Sequence, residues 1–306
     1  MKSRKIFYRY ISGYKIYFPT LIKYGFKGLI LELKNRSLIW SIRDRSVGPQ
    51  RKIIYRTSIS HVKEYLDICE LACNSQEVLN NFKNCHEYKL VLEHVNRIQG
   101  EEYLNLIQDD TILDSIRYVS MHEIGNPFRY PYRGIGYCSP TQLRYGKILS
   151  DIKSKFDTSK FRNVVEIGVG TGGLAAQITH NLKVSSYVLV DLPAVIDLTK
   201  RVLKPFSMQT NFEYVYSDKF KEGSYDFFLS NYAFSELVKE VQDFYIEKYI
   251  SRASSGFMLY NHIHKNSSSS YTANEMLEKI PGSKIYPEVP KTFKNNVLLI
   301  WGENSN

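Results

Sequence analysis

Residues 164–175, Val164-Val165-Glu166-Ile167-Gly168-Val169-Gly170-Thr171-Gly172-Gly173-Leu174-Ala175, read as a short apolar strand, a glycine-rich turn and the start of a helix. Glycines let the backbone come close to a ligand, and a helix that starts there points its free amide groups at the same spot. The chain on both sides of the turn alternates in type. Residues 164–167, 187–190, 212–216, 225–229 and 257–260 are strand-like; 174–182, 194–203, a long stretch from about 234 to 253, and 272–279 are helix-like. This alternation predicts an α/β fold with a parallel sheet covered on both faces. Two last strand-like runs, 284–289 and 297–301, lie close together without a long helix between them. They predict an antiparallel pair closing a mostly parallel, seven-stranded sheet.

Read alone, Gly168-x-Gly170-x-x-Gly173 also satisfies the dinucleotide fingerprint. Asp191, at the end of the next strand, suits ribose hydroxyls in either case. A nicotinamide site and a turn without a ligand are the alternatives. Two features favour S-adenosylmethionine: the antiparallel end of the sheet, and Glu166. A carboxylate at the mouth of the site would repel a pyrophosphate and attract a positive ammonium.

Glu166-Ile-Gly-Val-Gly-Thr-Gly-Gly resembles motif I of the class I S-adenosylmethionine-dependent methyltransferases, and Val188-Leu-Val-Asp191-Leu-Pro193 resembles their ribose-binding strand end. Three stretches are similar to the sugar O-methyltransferases of bacterial polysaccharide gene clusters. They are Gly125-Asn-Pro with Ser139-Pro140 and Leu143-Arg144-Tyr145, the Asp191-Leu-Pro segment, and Ser230-Asn231-Tyr232-Ala233-Phe234-Ser235-Glu236-Leu237. The resemblance covers roughly residues 120–301. It implies that Glu166, Gly168, Gly170 and Thr171 lie at the methionyl part of the cofactor, and Asp191 with Leu192 at its ribose and adenine. Ser217 and Asp218 are the adenine neighbours; Ser230 and Asn231, ending the fourth strand, face the transferable methyl, and Arg144 and Tyr145 join the cofactor set. The product would be S-adenosyl-L-homocysteine.

Methyl transfer from a sulfonium asks the protein for in-line alignment and a proton acceptor. Glu236 is the leading base, His262 at the end of the fifth strand the second, and His122, with Glu123 beside the Gly-Asn-Pro loop, the third. Tyr232 and Asn261 would hold the methyl acceptor. Arg129 and Arg133 suit its phosphates, because guanidinium forks pair with them in two bonds. The expected acceptor is a sugar hydroxyl of a nucleotide-activated sugar or of a phosphorylated capsular or lipopolysaccharide glycan. Another small metabolite, or a cofactor-binding regulatory or scaffold protein without catalysis, are the alternatives. An Asn/Asp-Pro-Pro-Tyr motif is lacking, so no nucleic-acid partner is expected. Residues 218–224 leave no room for a helix between the third and fourth strands.

With 306 residues, 43% hydrophobic and 24% charged, the composition is that of a globular protein. No apolar run reaches the ~20 residues of a membrane span, and no cleavable leader is visible, so a cytoplasmic protein is expected. The net charge of +10 is concentrated: residues 1–45 hold eleven Lys and Arg against two acids. There Phe18, Leu21, Ile22, Phe26, Leu29, Ile30 and Leu33 recur at helical spacing. This predicts a basic amphipathic helix, docked on the main domain or resting on anionic lipid at the inner face of the membrane. Residues 1–125 are expected to be all-helical, with one helix containing Tyr65, Leu66, Cys69 and Cys73, a second Leu90, Val91, His94, Val95 and Ile98, and a third Leu113, Ile116, Arg117 and Ser120. Residues 126–138 are a loop or linker. Ser139-Pro140-Thr141-Gln142 opens a helix with an N-cap, a proline at the first position and a capping box, leading into a methyltransferase domain over 139–306. Cys69, Cys73, Cys85 and Cys138 are read as buried small hydrophobes. Cys69, Cys73, Cys85 and His86 only mimic a zinc set, and no spacing demands a metal between Glu236 and His262.

Overall fold

The basic segment 1–45 and His262 lie outside the residues described by the computed structural model, which are 63–207, 210–261 and 269–304. The described chain starts with helices α1 (Lys63–Asn74), α2 (Gln76–Leu79), α3 (His86–Val91), α4 (Arg97–Asn105) and α5 (Asp110–His122). A hairpin of β1 (Tyr130–Tyr132) and β2 (Gly136–Cys138) leads into α6 (Pro140–Lys155). Then come β3 (Asn163–Ile167), α7 (Gly173–Asn181), β4 (Ser186–Asp191), α8 (Pro193–Leu203), β5 (Asn211–Tyr216) and β6 (Tyr225–Asn231). The last elements are α9 (Lys239–Lys248), β7 (Ala253–Tyr260), α10 (Ala273–Lys279), β8 (Lys284–Pro287) and β9 (Val297–Trp301).

The expected sheet forms, with strand order β5-β4-β3-β6-β7-β9-β8. The first five strands in that order are parallel, and β9 runs antiparallel to both neighbours. Because successive strand residues point to opposite faces, β3 divides the core. Val164 lies on the face covered by Ile116, Leu143 and Leu149. Val165 and Ile167 face Tyr245, Tyr249 and Met276. A third cluster seats Leu66, Cys69, Phe82 and Tyr88 of the N-terminal helices on Val195 and Leu198 of α8. Cys69, Cys85 and Cys138 are buried and in no disulfide, whereas Cys73, expected to be buried, is only half-buried. The chain runs outward from β3 to β5 and returns to β6 on the other side of β3. That reversal is the switch point at which open α/β sheets hold their ligands.

Four local expectations need correction. Residues 90–98 are not one helix: α3 stops at Val91, and Asn96 starts α4 with a reciprocal capping box to Gln99. Leu90 and Ile98 are accordingly 66% and 70% exposed, while Val95 points into the core. The stretch 126–138 is no plain linker, since it forms the β1–β2 hairpin. Ser139 does cap α6, accepting from the Thr141 amide, with Pro140 at the first turn. Gln142 completes no box, however, because its side chain turns inward to Glu123 and Gln177. The long helix over 234–253 is a 3-10 turn, Ala233–Glu236, followed by the shorter α9; Leu237 is extended and breaks the run. Between β5 and β6 there is indeed no helix. Residues 217–224 cross beside α9 instead, where the Lys221 amide donates to the Tyr249 hydroxyl at 3.3 Å.

No helix among the described residues is long and apolar enough to cross a membrane. Ile116 is fully buried and fills the space left by the missing side chain of Gly146. Ile116→Ala should therefore cost about 2–5 kcal/mol in urea denaturation. Ile98→Ala, on the exposed side of α4, should stay within about 0.5 kcal/mol.

Candidate active site

The glycine turn is held shut by Asp191. One of its oxygens accepts from the Gly170 amide at 2.9 Å, the other from the Leu192 amide at 2.7 Å. The Gly168 amide donates to the Val190 carbonyl at 2.8 Å, so the turn is fastened to the end of β4 at two points. Gly168, Gly170 and Gly172 all have positive φ, which L side chains rarely adopt. Protein already fills the space in front of these glycines. A Cβ on Gly168 would lie 2.0 Å from Ala233, one on Gly170 2.8 Å from Leu92, and one on Gly173 2.6 Å from Tyr145. Thr171 is buried and shares a 2.6 Å hydrogen bond with Tyr88. The turn is thus the surface on which the N-terminal helices and the turn after β6 are seated.

Glu166 is not at the mouth. It is 2% exposed, on the helix-covered face of the sheet, and accepts from the Tyr187 hydroxyl at 2.8 Å. Burial pushes its carboxyl up to about 8, and burial raises Asp191 to about 6. The other cofactor candidates divide into distinct environments. Ser217 donates its amide to the Asp191 carbonyl, whereas Asp218 is exposed beside Lys219. The Ser230 hydroxyl is spent on backbone, donating to Ile167 and accepting from the Phe234 amide. Asn231 ends β6 with a buried Oδ1 that has no partner.

Past β6 the structure brings the methyl-acceptor candidates together. Tyr232 has a left-handed backbone, φ 68°, a strained state for a non-glycine residue, and its hydroxyl donates to Glu288. The Asn261 amide nitrogen Nδ2 donates to Glu236 at 3.2 Å, and its Oδ1 accepts from Ser235. Glu236, Asn261, Tyr232 and Glu288 therefore line the carboxyl ends of β6 and β7 and the chain after β8. His122 does not join them: it is exposed, bonded to the Tyr118 carbonyl at 2.9 Å and packed on Phe206. Arg129 donates to the Glu123 carbonyl at 3.1 Å, and Arg133 is exposed in the hairpin turn; neither bonds to the cluster.

Glu288 escapes sequence reading, as do Lys83 and Glu93, the partners of Glu123 in a buried polar cluster of the helical cap. Lys83 lies 2.7 Å from Glu123 and 3.8 Å from Glu93, all three nearly buried, and Ser139 donates to Glu93 at 2.8 Å. Burial pulls the Lys83 ammonium down, yet the two carboxylates outweigh it and leave it raised. A charged residue beside a helix break, as Glu93 is beside Asn96, was the available signal. These partners come from segments about 40 residues apart and share no motif.

Strand order, glycine turn and Asp191 together define the class I fold of S-adenosylmethionine-dependent methyltransferases. Residues 139–224 match the family model of an O-methyltransferase domain, a family that uses S-adenosyl-L-methionine. No curated protein matches the sequence. Among solved structures the chain is similar to mitomycin 7-O-methyltransferase, at 15% identity over 53% of this chain and 57% of that one, TM-score 0.37. It is similar also to an O-methyltransferase family protein from Burkholderia thailandensis, at 12% identity over 52% and 56%, TM-score 0.40. The pyocyanin biosynthetic protein PhzM gives 11% over 53% and 56%, TM-score 0.39. The chain spans a little over half the length of each. The donors present fit such a cofactor: Asp191 places a carboxylate at the carboxyl end of β4, and Asn231 has a buried oxygen without a partner near the switch point.

The buried Glu166 makes a pH test. Its ordinary value is 4.5 and its folded value about 8, so between these folding takes up a proton. Its stabilising contribution is complete below about 4.5 and lost as pH rises through about 8. Glu166→Gln is neutral throughout, so its melting temperature should gain on wild type between about pH 5 and pH 9. A constant difference would mean the carboxyl ionises normally in the folded protein.

Proposed function

We propose that the protein transfers a methyl group from S-adenosylmethionine to a sugar hydroxyl, on a nucleotide-activated sugar or a phosphorylated capsular or lipopolysaccharide glycan. The observation that carries this reading is the pairing of Glu236 with Asn261 beside the turn after β6, within one packed layer of the glycine turn. The cofactor supplies an activated methyl on a sulfonium. Glu236 accepts the hydroxyl proton, and Asn261 orients its carboxylate through the 3.2 Å bond. Asn231, Tyr232 and Glu288 offer the mixed donors and acceptors that a polyhydroxylated ligand needs. Asp191 and Leu192 hold the ribose end, with Ser217 and Asp218 at the adenine. His262 is the second proposed base.

Purified protein is offered methyl-labelled cofactor with separate pools of nucleotide sugars, phosphorylated glycans, RNA and simple metabolites. Label should enter a sugar pool, and Glu236→Gln should lower kcat by about 10²- to 10⁴-fold with cofactor affinity intact. Label in simple metabolites alone would replace the sugar by another acceptor.

The basic segment 1–45 adds a proposed contact with anionic membrane, which would bring the site to lipid-linked acceptors. Full-length protein should float with anionic liposomes, and a variant with the Lys and Arg of 1–45 changed to Gln should not. Equal flotation of the two would remove the contact.

A further inference from the structure

Away from the proposed transfer site, the helical cap holds a pocket of about 530 Å³, within the range that takes a small ligand. Its walls are two stretches about 40 residues apart: Asn80 and Asn84, between α2 and α3, and residues 123–129 after α5. The protein's own bonds tie these stretches together. The Lys83 amide donates to the Gly125 carbonyl at 3.0 Å, Asn84 Nδ2 to the Asn126 carbonyl, and Asn126 Nδ2 to Asn81 at 3.1 Å. The pocket is therefore built before any ligand arrives.

Two of its wall residues are buried and under-used. Asn84 is 1% exposed; its Nδ2 is taken by Asn126, and its Oδ1 has no partner. The Glu123 side chain is 2% exposed. Its Oε1 accepts from both Lys83, at 2.7 Å, and Gln142, at 2.8 Å, while Oε2 has no hydrogen bond. A buried acceptor without a donor is costly, so each oxygen favours a ligand that brings a hydrogen. The surrounding charges narrow that ligand. Lys83 and Arg129, 2.7 and 3.9 Å from Glu123, already face its carboxylate, and Lys89 stands 4.9 Å over the Phe128 ring. A cation entering here meets three positive side chains, and an anion meets the two acceptor oxygens. What fits is an uncharged molecule with hydroxyl donors. Ile124, Pro127 and Phe128 add an apolar wall for the C–H face of a ring.

We propose that this pocket binds a neutral sugar ring, through hydroxyl groups that donate to Asn84 Oδ1 and Glu123 Oε2. None of its wall residues belongs to the cluster of Glu236 and Asn261, and the site does not depend on the methyltransferase reading. Gln142 links it to the glycine turn: the Nε2 that donates to Glu123 lies 3.6 Å from where a Cβ on Gly173 would stand.

Calorimetry on the full-length protein tests this. The probes are the methyl glycosides of glucose, galactose, mannose and N-acetylglucosamine, with glucosamine and inorganic phosphate as charged controls. At least one neutral glycoside should bind with a Kd on the order of 1 mM, and neither control should bind as tightly. Asn84→Leu, which removes the unpartnered oxygen, should weaken that glycoside about 10-fold or more. Asn80→Trp serves where Asn84→Leu does not fold. Asn80 is exposed at the pocket wall and gives up only a bond from Gln76, and the indole should close the pocket to every glycoside. Tighter binding of glucosamine or phosphate overturns the inference. So does wild-type protein that binds no neutral glycoside, or a glycoside whose affinity both folded variants leave unchanged. Affinity lost in Glu236→Gln but kept in Asn80→Trp puts the sugar in the transfer site and overturns it too. Protein that binds the glycoside through this pocket but binds no S-adenosylhomocysteine keeps the inference and loses the methyltransferase reading.

Discussion

The rest of the site depends on the grip of Asp191 on the glycine turn. By accepting from Gly170 and Leu192 at once, one carboxylate fixes the conformation of the loop after β3 and the entry to α8. Once the loop is set, its bare backbone becomes a seat: Ala233 rests on Gly168, Leu92 on Gly170, Tyr145 on Gly173. Those contacts decide where Tyr232, Arg144 and His94 stand. The helical cap and the sheet therefore close on one another through positions where no side chain is possible.

How much of this is legible in the sequence follows from how far apart the partners lie. The apolar runs around Val165, Val188 and Phe228 announce strands because each is decided by its own few residues, and alternation along the chain then dictates a parallel sheet. Ser139 likewise caps the helix it precedes, since capping is settled within four residues. Boundaries that depend on a neighbour are harder. Gln142 has the position of a capping-box residue, yet hydrogen bonds to Glu123 and Gln177 outweigh the local one. Leu90 and Ile98 have helical spacing, but the Asn96 cap between them resets the phase.

The site divides in the same way. Asp191 and the glycines are readable because a tight turn between strand and helix, tied to the end of the next strand, demands a short, ordered spacing. Glu236 and Asn261 are found separately, at strand ends, and only the β6–β7 pairing brings them within hydrogen-bond reach. Glu166 shows the limit of reading charge without depth: alternation on β3 turns it to the covered face, towards Tyr187. Lys83, Glu93 and Glu123 form their cluster from three segments that meet only in the folded cap.

The left-handed backbone at Tyr232 has an evolutionary consequence. A non-glycine residue held at φ 68° costs about 1–3 kcal/mol, and glycine at that position would recover much of it. The chain would then lose the phenol that reaches Glu288 at the rim of the proposed transfer site. Selection for thermostability alone would push this position towards glycine, so here robustness and the phenol at the rim are set against each other.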